Sequence, residues 1–340
     1  MKGRMGMTLG DKKLEVCHVQ NIWKAQTRIR SMIKPTPFIE SPALAEAAGI
    51  ETFLKIETVH EVRAFKVRGA ANKLLSLTEE ERKQGVVTFS TGNHGLAVAH
   101  VAKKLGIRTV VCISNRVPKA KVDAIRREGA EIKVIGESQD EAERYAYELE
   151  EQGMTVVKPF DDWHVIAGQG TIGLEMLQEV PDIDAVLVPL SGGGLFAGVA
   201  VALKSVNPFI KVIGVSMEGS PVMYESIQSG KPVMLKEQDT LADSLLGGIG
   251  LNNQYTFELV KNYGDDFILV TEEEIADAMG FMMEHHRMIV EGAAAVGVAA
   301  LLHGKLTDAY GKVGTIITGS NVDLSVISPI IQNYLKQKRS

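Results

Sequence analysis

The run Ala185-Val186-Leu187-Val188-Pro189-Leu190-Ser191-Gly192-Gly193-Gly194-Leu195-Phe196 passes from unbroken apolar residues into three consecutive glycines. A short apolar run closed by a loop reads as a strand buried on both faces. The apolar period of Val199 to Val206 reads as the following helix, which opens near Phe196. Glycines reach backbone angles closed to other residues, so successive N–H groups can converge on an anion. The positive end of the helix dipole adds to that attraction, which suits a phosphate. The same residues satisfy the loose dinucleotide pattern, as Gly192-x-Gly194-x-x-Ala197 with Glu218 near the end of the next strand. A plain βα turn is the third reading.

Strand and helix signals alternate on both sides of this loop. Upstream, Gly85 to Phe89, Arg108 to Ser114, Glu131 to Ile135 and Met154 to Lys158 are strand-like. Between them, Gly95 to Leu105, Pro118 to Glu128 and Ser138 to Gln152 carry helical periods. Downstream, Lys211 to Val215 and Val313 to Ile317 are strand-like, with helices over Ala293 to Leu302 and Ser325 to Lys336. Thr271-Glu272-Glu273-Glu274 is a capping box for a helix running to about His286. Such alternation predicts an α/β protein whose mostly parallel sheets are flanked by helices, in two tightly packed units with a cleft between them. Ligands of open parallel sheets bind where strand C-termini meet loops, and both this loop and a second glycine-bearing loop, Ser90 to Gly95, lie at such ends.

The 340 residues are 45% hydrophobic and 23% charged, with a formal net charge of -5. That length accommodates one large or two joined domains, and the acidic balance argues against nucleic acid as the main partner. No apolar stretch approaches membrane-spanning length, and Met1 to Lys13 lacks the apolar segment of a signal peptide, so it reads as a frayed tail. Cys17 and Cys112 have neither metal nor redox spacing. A reducing cytoplasm is expected, and Cys112 reads as a small core residue.

Two further segments carry chemistry. In Ser90-Thr91-Gly92-Asn93-His94-Gly95, hydroxyls and N–H groups around Asn93 can grip a carboxylate, although the same residues suit simple helix capping. His94 reads as a neutral space-filler under the loop rather than a base. In Ala64-Phe65-Lys66-Val67-Arg68-Gly69-Ala70, Lys66 sits between apolar neighbours just before a helical run. By itself that segment reads as an exposed lysine. An amine among apolar groups, a polar loop and a phosphate-sized nest of donors together suggest pyridoxal phosphate (PLP), since burial disfavours the charged amine and frees it to act as nucleophile and then base. Of the remainder, Phe160 to His164 suits a pocket wall or a surface loop, and His285-His286 suits helix-end charges. Glu291 suits a helix N-terminal carboxylate, and Thr318-Gly319-Ser320-Asn321 closes the last strand.

Taken in order, the Lys66 and Ser90 segments, Ile166-Ala167-Gly168-Gln169-Gly170-Thr171, the Ser191 loop, Val290-Glu291-Gly292-Ala293 and Thr318 to Asn321 form one pattern. It resembles the serine/threonine dehydratase family of PLP enzymes (fold type II, tryptophan synthase β-like) from about Ile22 to Tyr334. The resemblance implies two open, twisted, mostly parallel sheets with the cofactor in the cleft between them. It implies a large PLP-binding domain of residues 1–84 plus 164–340, and a small mobile domain of residues 85–163. Lys66 is expected to carry PLP as a Schiff base, with Phe65 beside it. Asn93 is expected on its phenolic oxygen, and Ser191, Gly192, Gly193, Gly194 and Leu195 on its phosphate. Thr318 is expected at the pyridine nitrogen, with Glu291 also in the cofactor site. Ser90, Thr91, Gly92, Asn93 and His94 would meet the substrate, and Thr91 would join Lys66 as a catalytic group.

The implied reaction is β-elimination from a small hydroxy amino acid, by default L-threonine or L-serine, giving a 2-oxo acid and ammonia. A homodimer is implied by the resemblance; no metal, nucleic acid or membrane partner is expected. Departures from the family pattern include His60-Glu61-Val62-Arg63, Ala64, Thr91, Thr318, Ser320 and Ser216, the last at a position where some relatives ligate a cation. Arg63, Trp163 and His164 resemble the hydroxyectoine utilisation dehydratase subgroup. A serine or amino-acid racemase is the neighbouring alternative. A nicotinamide-dependent dehydrogenase or a non-catalytic amino-acid sensor are the alternatives of other classes. No ACT-type regulatory domain is expected, and no isoleucine feedback.

Overall fold

The computed structural model describes residues 17–90, 92–115, 117, 119–137 and 139–337. Among the described residues ten strands form two sheets. The larger has the order β1-β2-β10-β7-β8-β9, from β1 (Phe38–Glu40), β2 (Glu51–Ile56), β7 (Ala185–Pro189), β8 (Lys211–Met217), β9 (Asp266–Val270) and β10 (Lys312–Ile317). The smaller has the order β5-β4-β3-β6, from β3 (Val86–Thr88), β4 (Thr109–Ile113), β5 (Glu131–Val134) and β6 (Thr155–Val156). Every pairing is parallel except the edge pair β1 and β2, in which Phe38 faces Lys55. Two mostly parallel sheets are what the alternating signals predicted.

The helices are α1 (Val19–Ile29), α2 (Pro42–Ala48), α3 (Lys66–Leu75), α4 (Glu79–Gln84), α5 (Asn93–Leu105), α6 (Lys119–Arg127) and α7 (Gln139–Glu151). They continue with α8 (Trp163–Glu179), α9 (Gly194–Val206), α10 (Val222–Ser229), α11 (Thr256–Tyr263), α12 (Glu272–His286), α13 (Gly292–Leu302) and α14 (Leu324–Gln337). The wholly apolar β7 is buried on both faces. Ala185 and Leu187 pack into a core with α13, while Val186 and Val188 pack into another with α9. That period-2 division is why the strand contains no polar residue. In the small sheet, Val87, Val110 and Cys112 meet Ala142 and Ala146 of α7, and Val111 and Ile113 meet Ala99 and Ile125 on the opposite face.

Small residues bring the central helices together. A Cβ on Gly198 of α9 would lie 2.3 Å from the Ile166 carbonyl of α8, and one on Gly168 would lie 2.6 Å from the Arg68 carbonyl of α3. Helix α9 starts at Gly194, directly on the glycine loop rather than near Phe196. The Thr271 capping box is present, with Thr271 and Glu274 satisfying each other's backbone N–H. Among the described residues no helix is long and apolar enough to cross a membrane.

Candidate active site

The loop after β7 is shaped by Gly193, whose φ of 84° lies in the left-handed region. Its neighbours are closed in by an aromatic ring: a Cβ on Gly192 would lie 2.4 Å from the Phe160 ring, and one on Gly194 would lie 2.9 Å from the Phe160 Cα. Backbone N–H groups are therefore what the loop presents. From Ser191 to Phe196 none of them donates to a protein acceptor among the described residues. These orphan donors at a helix N-terminus suit a phosphate. Phe160 against both outer glycines fits the wall role suggested for its segment.

Lys66 stands at the first position of α3, half-buried, and its Nζ donates to the Pro159 carbonyl at 2.8 Å. Burial lowers the amine's pKa to about 8. The exposed-lysine reading of the isolated segment is thus corrected by tertiary packing. Pro159 is next to Phe160, so a single turn of chain touches both the amine and the glycine loop. Phe65 donates its N–H to the Thr318 carbonyl at 3.0 Å, and Ala64 pairs with Gly319, which seats the Lys66 segment beside the end of β10.

The loop after β3 leads into α5. A Cβ on Gly95 would lie 1.9 Å from the Ser90 carbonyl, so glycine is what lets the loop turn so tightly. Asn93 donates its side-chain nitrogen to both oxygens of Glu291 at 3.0 and 2.9 Å and accepts from Asn321 at 2.7 Å. Glu291, 3% exposed, also accepts from the Asn321 N–H at 2.7 Å and from Ser244 at 2.8 Å. It stands at the N-terminus of α13, as the sequence suggested, without a side-chain cap bond, and in addition joins the loops of the two sheets. His94 is buried, with Nε2 2.9 Å from the Val157 carbonyl. Burial, and then the charge of Lys66, lower its pKa to about 3, so it is neutral, as the sequence suggested. Thr91 lies outside the described residues.

The sequence reading missed Arg68, which is buried between Glu57 and Glu175. It also missed Asp161, whose carboxylate accepts the N–H groups of Gln254, Tyr255 and Thr256. Charged residues signal surface, and only partners distant in sequence reveal otherwise. His286 is a partial correction, since its Nε2 lies 2.8 Å from the Ser41 hydroxyl. Ser216 is buried and donates to the Met217 sulfur at 3.4 Å. Both cysteines are buried, which pushes their thiols up to about 12 for Cys17 and about 11 for Cys112.

Residues 29–319 match the family described as pyridoxal-phosphate dependent enzyme. The chain belongs to that family. Within it, the L-threonine ammonia-lyase of Thermotoga maritima is 43% identical over 318 residues, covering 93% of this chain and 79% of that protein. Maize serine racemase has a TM-score of 0.87 at 34% identity, covering 95% of this chain and 99% of that one. The processed form of threonine deaminase isoform 2 from Solanum lycopersicum has a TM-score of 0.87 at 32% identity, covering 97% of this chain and 95% of that one. The cofactor of a PLP-dependent enzyme is an aldehyde bearing a phosphate. A lysine with lowered proton affinity beside a loop of unspent N–H donors fits that molecule at both ends. The dinucleotide pattern therefore describes the loop's geometry but not its ligand.

Proposed function

We propose that this PLP-dependent enzyme is an ammonia-lyase that eliminates water from a small hydroxy amino acid, with L-threonine or L-serine as first substrates. The observation that carries the reading is the Lys66 amine, depressed in pKa to about 8 and held one residue from the Phe160 ring that closes the glycine loop. The threonine-acting relative and the threonine deaminase likeness support the substrate class.

In this reading Lys66 anchors the cofactor, with Phe65 beside it. The N–H groups from Ser191 to Leu195 hold its phosphate. Asn93, fixed by Glu291 and Asn321, faces its phenolic oxygen, and Thr318 its ring nitrogen. Bound, the cofactor supplies an electron sink for the bond broken at the substrate α-carbon. Lys66, freed as a neutral amine, takes the α-proton, which its lowered pKa favours near neutral pH. Ser90 and the N–H groups at the start of α5 attract the substrate carboxylate. The β-hydroxyl leaves as water with the proton that Lys66 took from the α-carbon, so Lys66 ends neutral, and the released enamine is hydrolysed to a 2-oxo acid and ammonia. Water lost and water gained cancel. His94, neutral and tied to Val157, keeps positive charge away from Lys66.

Residues 85–163 are proposed to move as a small domain against residues 1–84 plus 164–340. A homodimer in the cytoplasm and a hydroxyectoine-derived substrate as the first substitute belong to the same proposal. The test is direct: purified holoenzyme with L-threonine should yield 2-oxobutanoate and ammonia in equal amounts, and Lys66→Ala should yield neither. Persistence of both products in Lys66→Ala would sink the mechanism.

The likeness to maize serine racemase favours a second reading, racemisation. It needs an acid on the far face of the α-carbon, a role proposed for Thr91. Chiral chromatography of the residual serine separates the two: D-serine accumulates only if that acid operates.

A further inference from the structure

Two residues past Lys66, Arg68 is 0% exposed and bound on every nitrogen. Its Nε and a terminal nitrogen fork onto the two oxygens of Glu57 at 2.7 and 2.9 Å. Its two terminal nitrogens fork onto Glu175 at 2.6 and 2.8 Å. The hydroxyls of Thr171 and Thr36 accept further bonds, each at 3.1 Å. Lys55, also 0% exposed, donates to Glu175 and to the Thr36 carbonyl, both at 2.6 Å. Two carboxylates are thus met by one guanidinium and one ammonium, and His60 adds a contact of 3.0 Å to Glu57.

A buried cluster of this kind adds little stability over apolar packing, because desolvation offsets the attraction. Its distinctive property is directional, since a guanidinium held by two forks cannot swivel. The forks come from two places. Glu57 lies in the turn after β2, and Glu175 lies on α8, whose N-cap Asp162 is two residues past Phe160. Helix α3 runs along α8 through further ties: Gly69 N–H to Gln169 at 3.3 Å, Asn72 to the His164 carbonyl at 2.7 Å, and Lys73 to Asp162 at 2.6 Å.

We propose that Arg68 is a positioning residue for Lys66: its two forks lock the first turn of α3 between the large sheet and α8, and so hold the amine on the Pro159 carbonyl. The inference rests on Lys66 being the working amine. A role in stability alone is the competing account.

The test follows Lys66 itself in cofactor-free protein, by reductive methylation with isotopically labelled formaldehyde and NMR titration. Its resonance is assigned by its loss in Lys66→Arg. Arg68→Met combined with Glu57→Gln removes one charge of each sign and leaves the Lys55–Glu175 pair intact. Arg68→Lys keeps the charge but loses the forks. In wild type Lys66 should titrate near 8. In both variants it should rise toward the ordinary lysine value of about 10.4. In the reconstituted holoenzymes kcat should fall by about a hundredfold with little change in KM. A variant that folds with Lys66 titrating as in wild type overturns the proposal. So does failure of both variants to fold, which leaves stability as the whole role. Should wild type release no ammonia while the titration still shifts, the lyase reading falls and the positioning role stands.

Discussion

The Lys66 amine and the Pro159 carbonyl meet at 2.8 Å although 93 residues separate them. Burial of the amine lowers its pKa to about 8, against about 10.4 for a free lysine. Capture of the cofactor aldehyde requires the neutral amine. Reconstitution of the apoenzyme should therefore accelerate as pH rises and level off above about 8. Stopped-flow visible absorbance measures this directly, and a midpoint close to 10 would mean that the amine is solvated.

The glycine loop and Phe160 give a paired prediction. Gly192→Ala places a methyl 2.4 Å from the Phe160 ring, a side chain that can be removed. Gly194→Ala meets the Phe160 Cα at 2.9 Å, which is backbone. Each substitution should raise the cofactor Kd by about tenfold or more, roughly 1.4 kcal/mol. Adding Phe160→Ala should restore binding to Gly192→Ala and leave Gly194→Ala impaired. Equal rescue of both, measured by fluorescence titration, would refute the contact as the cause.

Glu291 accepts every donor around it. Glu291→Gln turns one oxygen into a donor that faces the Asn93 side-chain nitrogen, which now donates to both oxygens, so one of those bonds is lost. The expected loss is about 1 to 3 kcal/mol, spread between stability and the fixed orientation of Asn93. Activity should fall by about tenfold or more, and Glu291→Asp should be milder if its carboxylate still reaches. Paired measurements of kcat and the urea midpoint apportion the loss.

His94 is neutral in the fold, with its pKa lowered from 6.5 to about 3. The unfolded chain therefore takes up a proton first as pH falls through 6.5, and stability is lost between that pH and 3. The loss should be on the order of 5 kcal/mol. His94→Gln, which can still donate to Val157, should flatten the curve until carboxylates begin to protonate. Urea unfolding over a pH series decides it: an unchanged acid limb in His94→Gln assigns the loss to other groups.

Much of the fold was legible because its signals are local. The apolar run Ala185–Pro189 is a strand over those same residues, and the Thr271 box opens its helix where the pattern places it. Helix α8 was illegible for a physical reason. It is buried almost all round and carries Gly168, Gly170 and Gly173, so it has neither an apolar stripe nor high helix propensity. Strand β2 hides Lys55 at 0% exposure, which no propensity anticipates. The site followed the same division. Glycine loops announce themselves in sequence, whereas Arg68 with Glu57 and Glu175, and Asp161 with the start of α11, exist only once distant elements meet.

The six residues from Val157 to Asp162 carry more obligations than their length suggests. Val157 receives His94, Pro159 receives Lys66, Phe160 closes the glycine loop, and Asp161 and Asp162 cap α11 and α8. The two sheets are therefore not interchangeable parts. A chimaera that exchanges the small-sheet unit with a relative should work only when this connector travels with it. Libraries aimed at a new substrate should leave it untouched and vary the exposed Arg63 instead.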